Sequence, residues 1–312
     1  MTRKRFLEQL VVSGMGIPLL QSCVMEGNTS GELMMEPISF PVHDQVTLHA
    51  LPCGRVKVKN AHKNNSLGIP QILLDPFWTD WLPIWVWLIE HPEGNILIDT
   101  GEQPAALTKK HYACDPATGW VNQKILKFQI EENWEVHRQL AKVGKSPEDI
   151  RWVVLTHMHL DHVDGLRHFS KSEIIVSQVE AVNPSGSIPC LLPSWFAPRR
   201  ITYEKSLIPH FSHAKALTKA KDVVLLSTPG HTYGHQSVLI RRGEYDICLA
   251  GDVSFTQQQL LEDKVAGINA DKTVSRKTYS EFLQYAKERP LVYLPTHDPF
   301  SLQRLKNQVF LL

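Results

Sequence analysis

Four side chains that can bind a metal ion fall within six residues of this chain. They are His157, His159, Asp161 and His162, in Thr156-His157-Met158-His159-Leu160-Asp161-His162-Val163-Asp164-Gly165. The apolar run Trp152-Val153-Val154-Leu155 leads into them and reads as a short buried strand. The cluster therefore sits where a strand ends and a turn or helix begins, a place that holds ligands at fixed distances. His157 and His159 are two apart, so in extended chain they point the same way. Asp161 and His162 follow as the chain turns, and can serve a second ion beside the first. Imidazole and carboxylate without thiolate suit zinc, or another first-row divalent ion, in a hydrolytic site.

The rest of the chain is ordinary for a large globular domain. Its 312 residues are 43% hydrophobic and 21% charged, enough for a substantial core. The net charge of +1 and the lack of a basic stripe give no footprint for nucleic acid. The N-terminus stands apart. Thr2-Arg3-Lys4-Arg5-Phe6-Leu7 is basic, and Leu10 to Leu20 is mostly apolar or small. That stretch is too short to span a bilayer, so residues 1–22 read as a cleavable export signal of twin-arginine type, with Lys4 in place of the second arginine. Leu20-Gln21-Ser22-Cys23 resembles a loose lipoprotein box. The expected location is the periplasm, with membrane anchoring through a lipid on Cys23 left open by Gln21. Removing residues 1–22 takes away three basic and one acidic side chain, leaving the chain near −1. Residues 23–44 read as a linker, and the folded domain as 45–312. Cys53, Cys114, Cys190 and Cys248 are too widely spaced to suggest a pairing; disulfides and buried free thiols are both open. The sequence does not set the oligomeric state, a homodimer being one open reading.

Val46 to Leu51 and Arg55 to Lys59 read as two strands, Asn60 to Pro70 as a polar loop, and Ile84 to Ile89 as a strand. Trp85 and Trp87 share one strand face and read as core. Trp78 and Trp81 precede that strand in a Pro-flanked loop and are candidates for the wall of an apolar substrate pocket. Residues 183–213, rich in proline and holding Trp195 and Phe196, read as a lid or pocket wall. Thr278 to Glu288 reads as a helix and Leu291 to Leu294 as a last strand.

His157-x-His159-x-Asp161-His162 resembles the metal signature of the metallo-β-lactamase superfamily. Further landmarks follow in chain order. Ile96-Leu97-Ile98-Asp99-Thr100-Gly101 is similar to the family's early strand and turn, and Thr228-Pro229-Gly230-His231-Thr232-Tyr233-Gly234-His235 to the segment carrying its third histidine. Ala250-Gly251-Asp252 resembles the bridging carboxylate, and Pro295-Thr296-His297-Asp298-Pro299 the last histidine. The resemblance covers about residues 45 to 300. It implies an α/β fold, a four-layer αββα sandwich in a single domain. It also implies two divalent metal ions, zinc first. One would be held by His157, His159 and His231, the other by Asp161, His162 and His297, with Asp252 shared between them. Asp161 and Asp252 are then the catalytic carboxylates, Asp161 carrying the proton. Asp99 is expected to orient ligands rather than bind metal, and His235 to play a structural part.

Residue identities narrow the branch. His159 stands where redox di-iron relatives carry glutamate, and Asp252 as a bridge is absent from true zinc β-lactamases. Only fifteen residues follow His297, read as too few for the helical domain of glyoxalase II-like thioesterases. What remains is similar to the N-acyl-homoserine lactonases, through Leu88 to Gly101, Gly230 to Ser237 and His297-Asp298-Pro299. The implied substrate is a small lactone with an acyl chain. One departure stands out. These lactonases usually carry a tyrosine three residues after the bridging aspartate, and here that residue is Phe255, which can neither donate a hydrogen bond nor carry a proton. Tyr233 and Tyr203 are candidates to supply the missing hydroxyl. Tyr233 and Phe255 join Trp78, Trp81, Trp195 and Phe196 as expected substrate-binding residues. An organophosphate triesterase or arylesterase of the same fold is the alternative activity.

Overall fold

The computed structural model describes residues 35–43 and 45–312, which belong to one compact unit. The proposed export signal and Cys23 lie outside the described residues. Two sheets form the frame. The first holds β1 (Ile38–His43), β2 (Val46–Val58), β3 (Leu82–Glu90), β4 (Asn95–Ile98), β5 (Leu126–Gln129), β6 (Ile150–Val154), β7 (Glu173–Ser177) and β8 (Arg199–Ile201). Its order is β1-β2-β3-β4-β6-β7-β8, with β5 also paired to β2. The hairpin side is antiparallel and the β4-β6-β7-β8 side is parallel. The second sheet holds β9 (Glu204–Lys205), β10 (His213–Ala216), β11 (Val223–Ser227), β12 (Gln236–Arg241), β13 (Asp246–Gly251) and β14 (Leu291–Pro295). It runs in the order β14-β13-β12-β11-β10-β9.

Alternation along the strands explains the layers. On β3, Trp85, Trp87 and Ile89 face the second sheet and meet Leu225, Val238, Ile247 and Val292 in the core between the sheets. Val86 and Leu88 face the other way, onto Val136 and Leu140 of the helix Val136–Lys142. The outer face of the second sheet is covered by Tyr279, Phe282 and Tyr285 of the helix Lys272–Glu288. The order helix, sheet, sheet, helix is the expected αββα sandwich, and Trp85 and Trp87 are core as read.

Several boundaries differ from the sequence reading. The segment taken as a linker contains β1, which pairs with β2 and buries Val42, so the fold begins before Gln45. The two strands read at residues 46–51 and 55–59 are one strand. Gly54, at φ 134°, absorbs the register shift between Pro52 and Arg55, so the strand continues through it. The supposed polar loop at 60–70 contains the helical turns Asn60–Lys63 and the start of Ile69–Leu74. The last long helix starts at Lys272, capped by the Asp271 carboxylate, which accepts the Thr273 and Val274 N–H groups at 2.8 and 3.0 Å. The proline-rich stretch 183–213 is mostly a crossover: β8 extends the first sheet and β9 the second.

Cys114 and Cys190 form a disulfide, a pairing their separation of 76 residues hides in the sequence. Cys53 and Cys248 are buried free thiols. Cys190→Ser should lower unfolding stability by about 2–4 kcal/mol, because the reduced chain regains loop entropy. Urea melts with and without reductant check this: reductant should lower the parent to the variant's level and leave the variant unmoved. Equal stability of both proteins under oxidising conditions would count against it.

Candidate dinuclear metal centre

Strand ends bring the ligands together. β4 stops at Ile98, and Asp99 turns the chain with φ 62°, a conformation that Asp tolerates better than most residues. Its carboxylate accepts the Thr156 N–H at 2.7 Å and the Thr156 hydroxyl at 2.8 Å. His162 Nδ1 donates to the same carboxylate at 2.8 Å. Asp99 thus pins the end of β6 and aims His162 Nε2 inward, the orienting part read from the sequence.

In the first ligand group, His157 Nε2 and His231 Nε2 each lie 3.0 Å from His159 Nδ1. Metal–nitrogen bonds of about 2.0–2.1 Å in a tetrahedral site place nitrogens about 3.3 Å apart, so the spacing fits a cation between them. The far sides of the rings are fixed elsewhere. His159 Nε2 donates to the Ser185 carbonyl at 3.0 Å, and His157 Nδ1 lies 3.1 Å from the Thr156 hydroxyl. In the second group, His297 Nε2 lies 3.3 Å from Asp161 Oδ2, and His162 Nε2 lies 3.8 Å from Asp161 Oδ1. Asp252 reaches both groups: Oδ2 is 3.6 Å from His231 Nε2 and 3.2 Å from His297 Nε2, and Oδ1 is 3.5 Å from His162 Nε2. His297 Nδ1 donates to the Pro83 carbonyl at 2.9 Å, which leaves Nε2 facing Asp161 and Asp252.

The donors fit two divalent ions. His162 Nε2 and Asp252 Oδ1 are buried without a hydrogen-bond partner, an expensive arrangement unless a cation completes it. The charges agree. Burial, then the neighbouring imidazoles, holds His157 and His231 well below the usual histidine range, so both are neutral and ready to ligate. Burial also works against charge on His162 and His297, yet the carboxylates around them raise both. Burial opposes ionisation of Asp252, but His297 and His162 keep its carboxyl well below the usual range. Protons here stand in for the positive charge that the anionic pocket requires.

Two supporting residues complete the frame. His235 is buried and neutral, its pKa lowered to about 3 by burial. Its Nε2 accepts the Asp252 N–H at 3.0 Å, the structural part expected of it. Glu180, which the sequence reading did not single out, is buried on the helical turn after β7. It accepts the Met158 N–H at 2.9 Å, the Thr232 hydroxyl at 2.7 Å and the Gly234 N–H at 3.2 Å. One carboxylate therefore ties the His157–His159 loop to the His231 loop. Its only sequence signal is an acid three residues past the end of a buried strand.

A cavity of about 380 Å³ opens over His159, Asp161, His231, Asp252 and His297. Val56, Val58, Ile69, Val121, Ile125 and Leu126 give it an aliphatic wall, and Phe255 closes one side, stacked on His297 at 5.4 Å between ring centres. Of the six expected substrate-binding residues only Phe255 borders this cavity. Trp78 lies instead beneath the ammonium groups of Lys59 and Lys127, at 4.3 and 4.2 Å, and Trp81 beneath Lys57 at 5.1 Å. Trp195 and Phe196 pack on the outer core of the first sheet. Tyr233 is half exposed, its hydroxyl directed to the Ala270 carbonyl at 3.4 Å. The Tyr203 hydroxyl donates to Gln236 at 2.7 Å, so neither tyrosine supplies a hydroxyl to the cavity. From the stretch read as a lid, Ser185 and Gly186 do reach it. His62, inside the supposed polar loop, was missed; it lines the cavity, and its Nδ1 has no hydrogen-bond partner.

With this geometry in hand, comparison with known proteins is specific. A model of the metallo-beta-lactamase superfamily matches residues 79–297. An N-acyl homoserine lactonase of a Bacillus species is 31% identical over 259 residues, 80% of this chain and 92% of that protein. N-acyl homoserine lactonase AiiA of Bacillus thuringiensis subsp. kurstaki is 30% identical over 260 residues, again 80% and 92% of the two chains. The fold is similar to a solved N-acyl homoserine lactone hydrolase with N-hexanoyl-L-homoserine at its catalytic metal centre (TM-score 0.65, 22% identity, 83% and 95% of the chains). It is also similar to AidC, a dizinc quorum-quenching lactonase (TM-score 0.60, 17% identity, 86% and 92%). Spanning most of the fold and nearly the full length of those lactonases, these matches show that the chain belongs to the metallo-β-lactamase superfamily, on its N-acyl homoserine lactonase branch.

Proposed function

We propose that this chain is a metal-dependent hydrolase that opens the lactone ring of N-acyl homoserine lactones, with zinc as its metal. One observation carries the reading: two ligand groups sharing Asp252 form the floor of a cavity with an aliphatic wall. A polar reacting ring and an apolar tail match that floor and that wall. Two divalent ions held there would lower the pKa of a shared water and polarise the ring carbonyl. Ring opening adds one water across the acyl C–O bond. The acyl carbon keeps the added oxygen as a carboxylate, and the released ring oxygen takes up a proton. Asp161 lies on the cavity floor, partly open to it, where its carboxylate can take that proton from the water and return it to the ring oxygen. Asp252 stays ionised through its two imidazole neighbours and holds the two ligand groups in register.

His62 fills the polar gap left by Phe255. Burial, then His159 and His297, lowers its pKa to about 3, so it is a neutral imidazole. The Phe255 ring meets it edge-on at 5.8 Å, and its unpaired Nδ1 can hydrogen-bond the substrate's amide or ring carbonyl. His62→Phe should raise KM about tenfold, the worth of one such bond, with metal content unchanged. Steady-state kinetics beside metal analysis checks this, and an unaltered KM would remove His62 from substrate binding.

Acid release with a pH indicator, on zinc-reconstituted protein and a panel of short- and long-chain acyl homoserine lactones, tests the activity. Turnover of a phosphotriester with release of nitrophenol, and none of the lactones, would overturn it in favour of the triesterase. Export to the periplasm and lipid attachment at Cys23 are proposed from the N-terminal sequence; the Cys114–Cys190 disulfide supports an oxidising compartment. Labelled palmitate incorporated by the parent but not by Cys23→Ser would bear out the lipid, and equal labelling would exclude it.

A further inference from the structure

Beyond the dinuclear centre, a second set of donors converges without a partner. Glu102 follows the Asp99 turn and is 1% exposed. Its Oε1 accepts the Gln103 N–H at 2.9 Å, while Oε2 has no partner. Asp164 follows the ligand-bearing turn Leu160–Val163, and its Oδ2 is likewise buried and accepts no aligned hydrogen bond. His111 comes from a separate segment, its side chain 8% exposed. Its Nε2 lies 3.1 Å from Asp164 Oδ2 without the alignment of a hydrogen bond. The three donor atoms lie within 4.8 Å of one another. No lysine or arginine side chain pairs with either carboxylate among the described residues; Arg167 donates to the Asp164 main-chain carbonyl instead. Two buried carboxyl groups against one imidazole need a proton or a cation between them, and no other side chain supplies the charge.

We propose that Glu102, His111 and Asp164 form a third metal site, structural and separate from the dinuclear centre. Two carboxylate oxygens and one imidazole nitrogen suit a first-row divalent cation such as Zn²⁺, with water completing the shell. Ca²⁺ and Mg²⁺, which take oxygen ligands, do not match the donor set. The site would clasp three segments. Glu102 lies three residues after Asp99, which orients His162. Asp164 lies two residues after His162 itself. His111 leads through Cys114, of the disulfide, into the helix Pro116–Ile125, which gives Val121 and Ile125 to the cavity wall. A cation here fixes that wall relative to the catalytic floor. The inference does not depend on which substrate the enzyme takes.

The competing occupant is a proton. Without a cation, burial and then Asp164 raise the Glu102 carboxyl well above its usual range, so the two acids would share one proton. Zinc-loaded protein, freed of excess metal by gel filtration, should hold about three zinc ions per chain, and His111→Ala or Glu102→Gln about two. Asp252→Ala should lose zinc from the other centre and keep this ion, so failure here and failure of the dinuclear reading are distinguishable. Crystals of the parent chain grown with zinc should show anomalous density between the three side chains, which decides the matter even where a variant does not fold. About two ions in the parent, unchanged in both variants, or no anomalous density at this position, would overturn the proposal.

Discussion

Asp252→Ala is expected to leave less than about a thousandth of the parent's kcat/KM and to drop bound metal from two catalytic ions to one or none. The size follows from position. Asp252 is the carboxylate whose oxygens approach histidines of both ligand groups, at 3.2 to 3.6 Å. Losing it removes a donor from each ion and the negative charge between them. Residues that only orient ligands cost about 10–100-fold when lost, so a shared ligand should exceed that. The fold should survive. Without the Asp252 charge, His162 and His297 lose a main cause of their raised affinity for protons, and can become neutral rather than remain as unpaired buried cations. Circular dichroism should therefore match the parent while metal analysis and the acid-release assay do not. Asp252→Asn, which keeps the shape and one acceptor oxygen, should fall between. Full activity with both ions retained in Asp252→Ala would refute the assignment of the centre.

What could be read from the sequence divides along a physical line. His157, His159, Asp161 and His162 were legible because their spacing is local: a buried strand followed by a tight turn fixes their relative directions. His231, Asp252 and His297 lie up to 140 residues away, and only the resemblance to a family placed them at the same ions. The layers too came through the resemblance, and the two buried faces of β3 agree with cover on both sides. The cavity wall was not legible. Apolar periodicity reports that a residue is buried, not what it is buried against. The aromatic residues Trp78, Trp81, Trp195 and Phe196 drew attention, whereas the wall came from aliphatic side chains on β2, Ile69–Leu74 and Pro116–Ile125. His62, Glu180 and the Cys114–Cys190 pair were hidden for the same reason. Their partners come from segments more than twenty residues distant, and a single chain of letters does not show which distant segments meet.

The second large effect is expected at a residue that touches no metal. Asp99→Asn should weaken metal binding about 10–100-fold with the backbone unchanged. Asparagine tolerates the positive φ of this position, so the turn itself is not strained. The change acts through hydrogen-bond polarity. Asp99 Oδ1 accepts the Thr156 N–H, and Oδ2 accepts both the Thr156 hydroxyl and His162 Nδ1–H. An amide keeps one acceptor, which the fixed main-chain N–H of Thr156 claims. The NH₂ group then faces His162 Nδ1 as a donor against a donor. Relief comes when His162 takes its other tautomer, with Nδ1 accepting and the proton moved to Nε2. That proton points at the place where the second ion binds, so Nε2 ligates only after the tautomer is reversed at a cost in free energy. The readout differs from that of a lost ligand: excess zinc should restore turnover in Asp99→Asn, because every ligand is still present, and should not restore it in Asp252→Ala. Chelator competition gives the affinity directly. An unchanged zinc affinity in Asp99→Asn would mean that His162 is aimed by its packing alone, and that the carboxylate contributes nothing to the tautomer on which the centre depends.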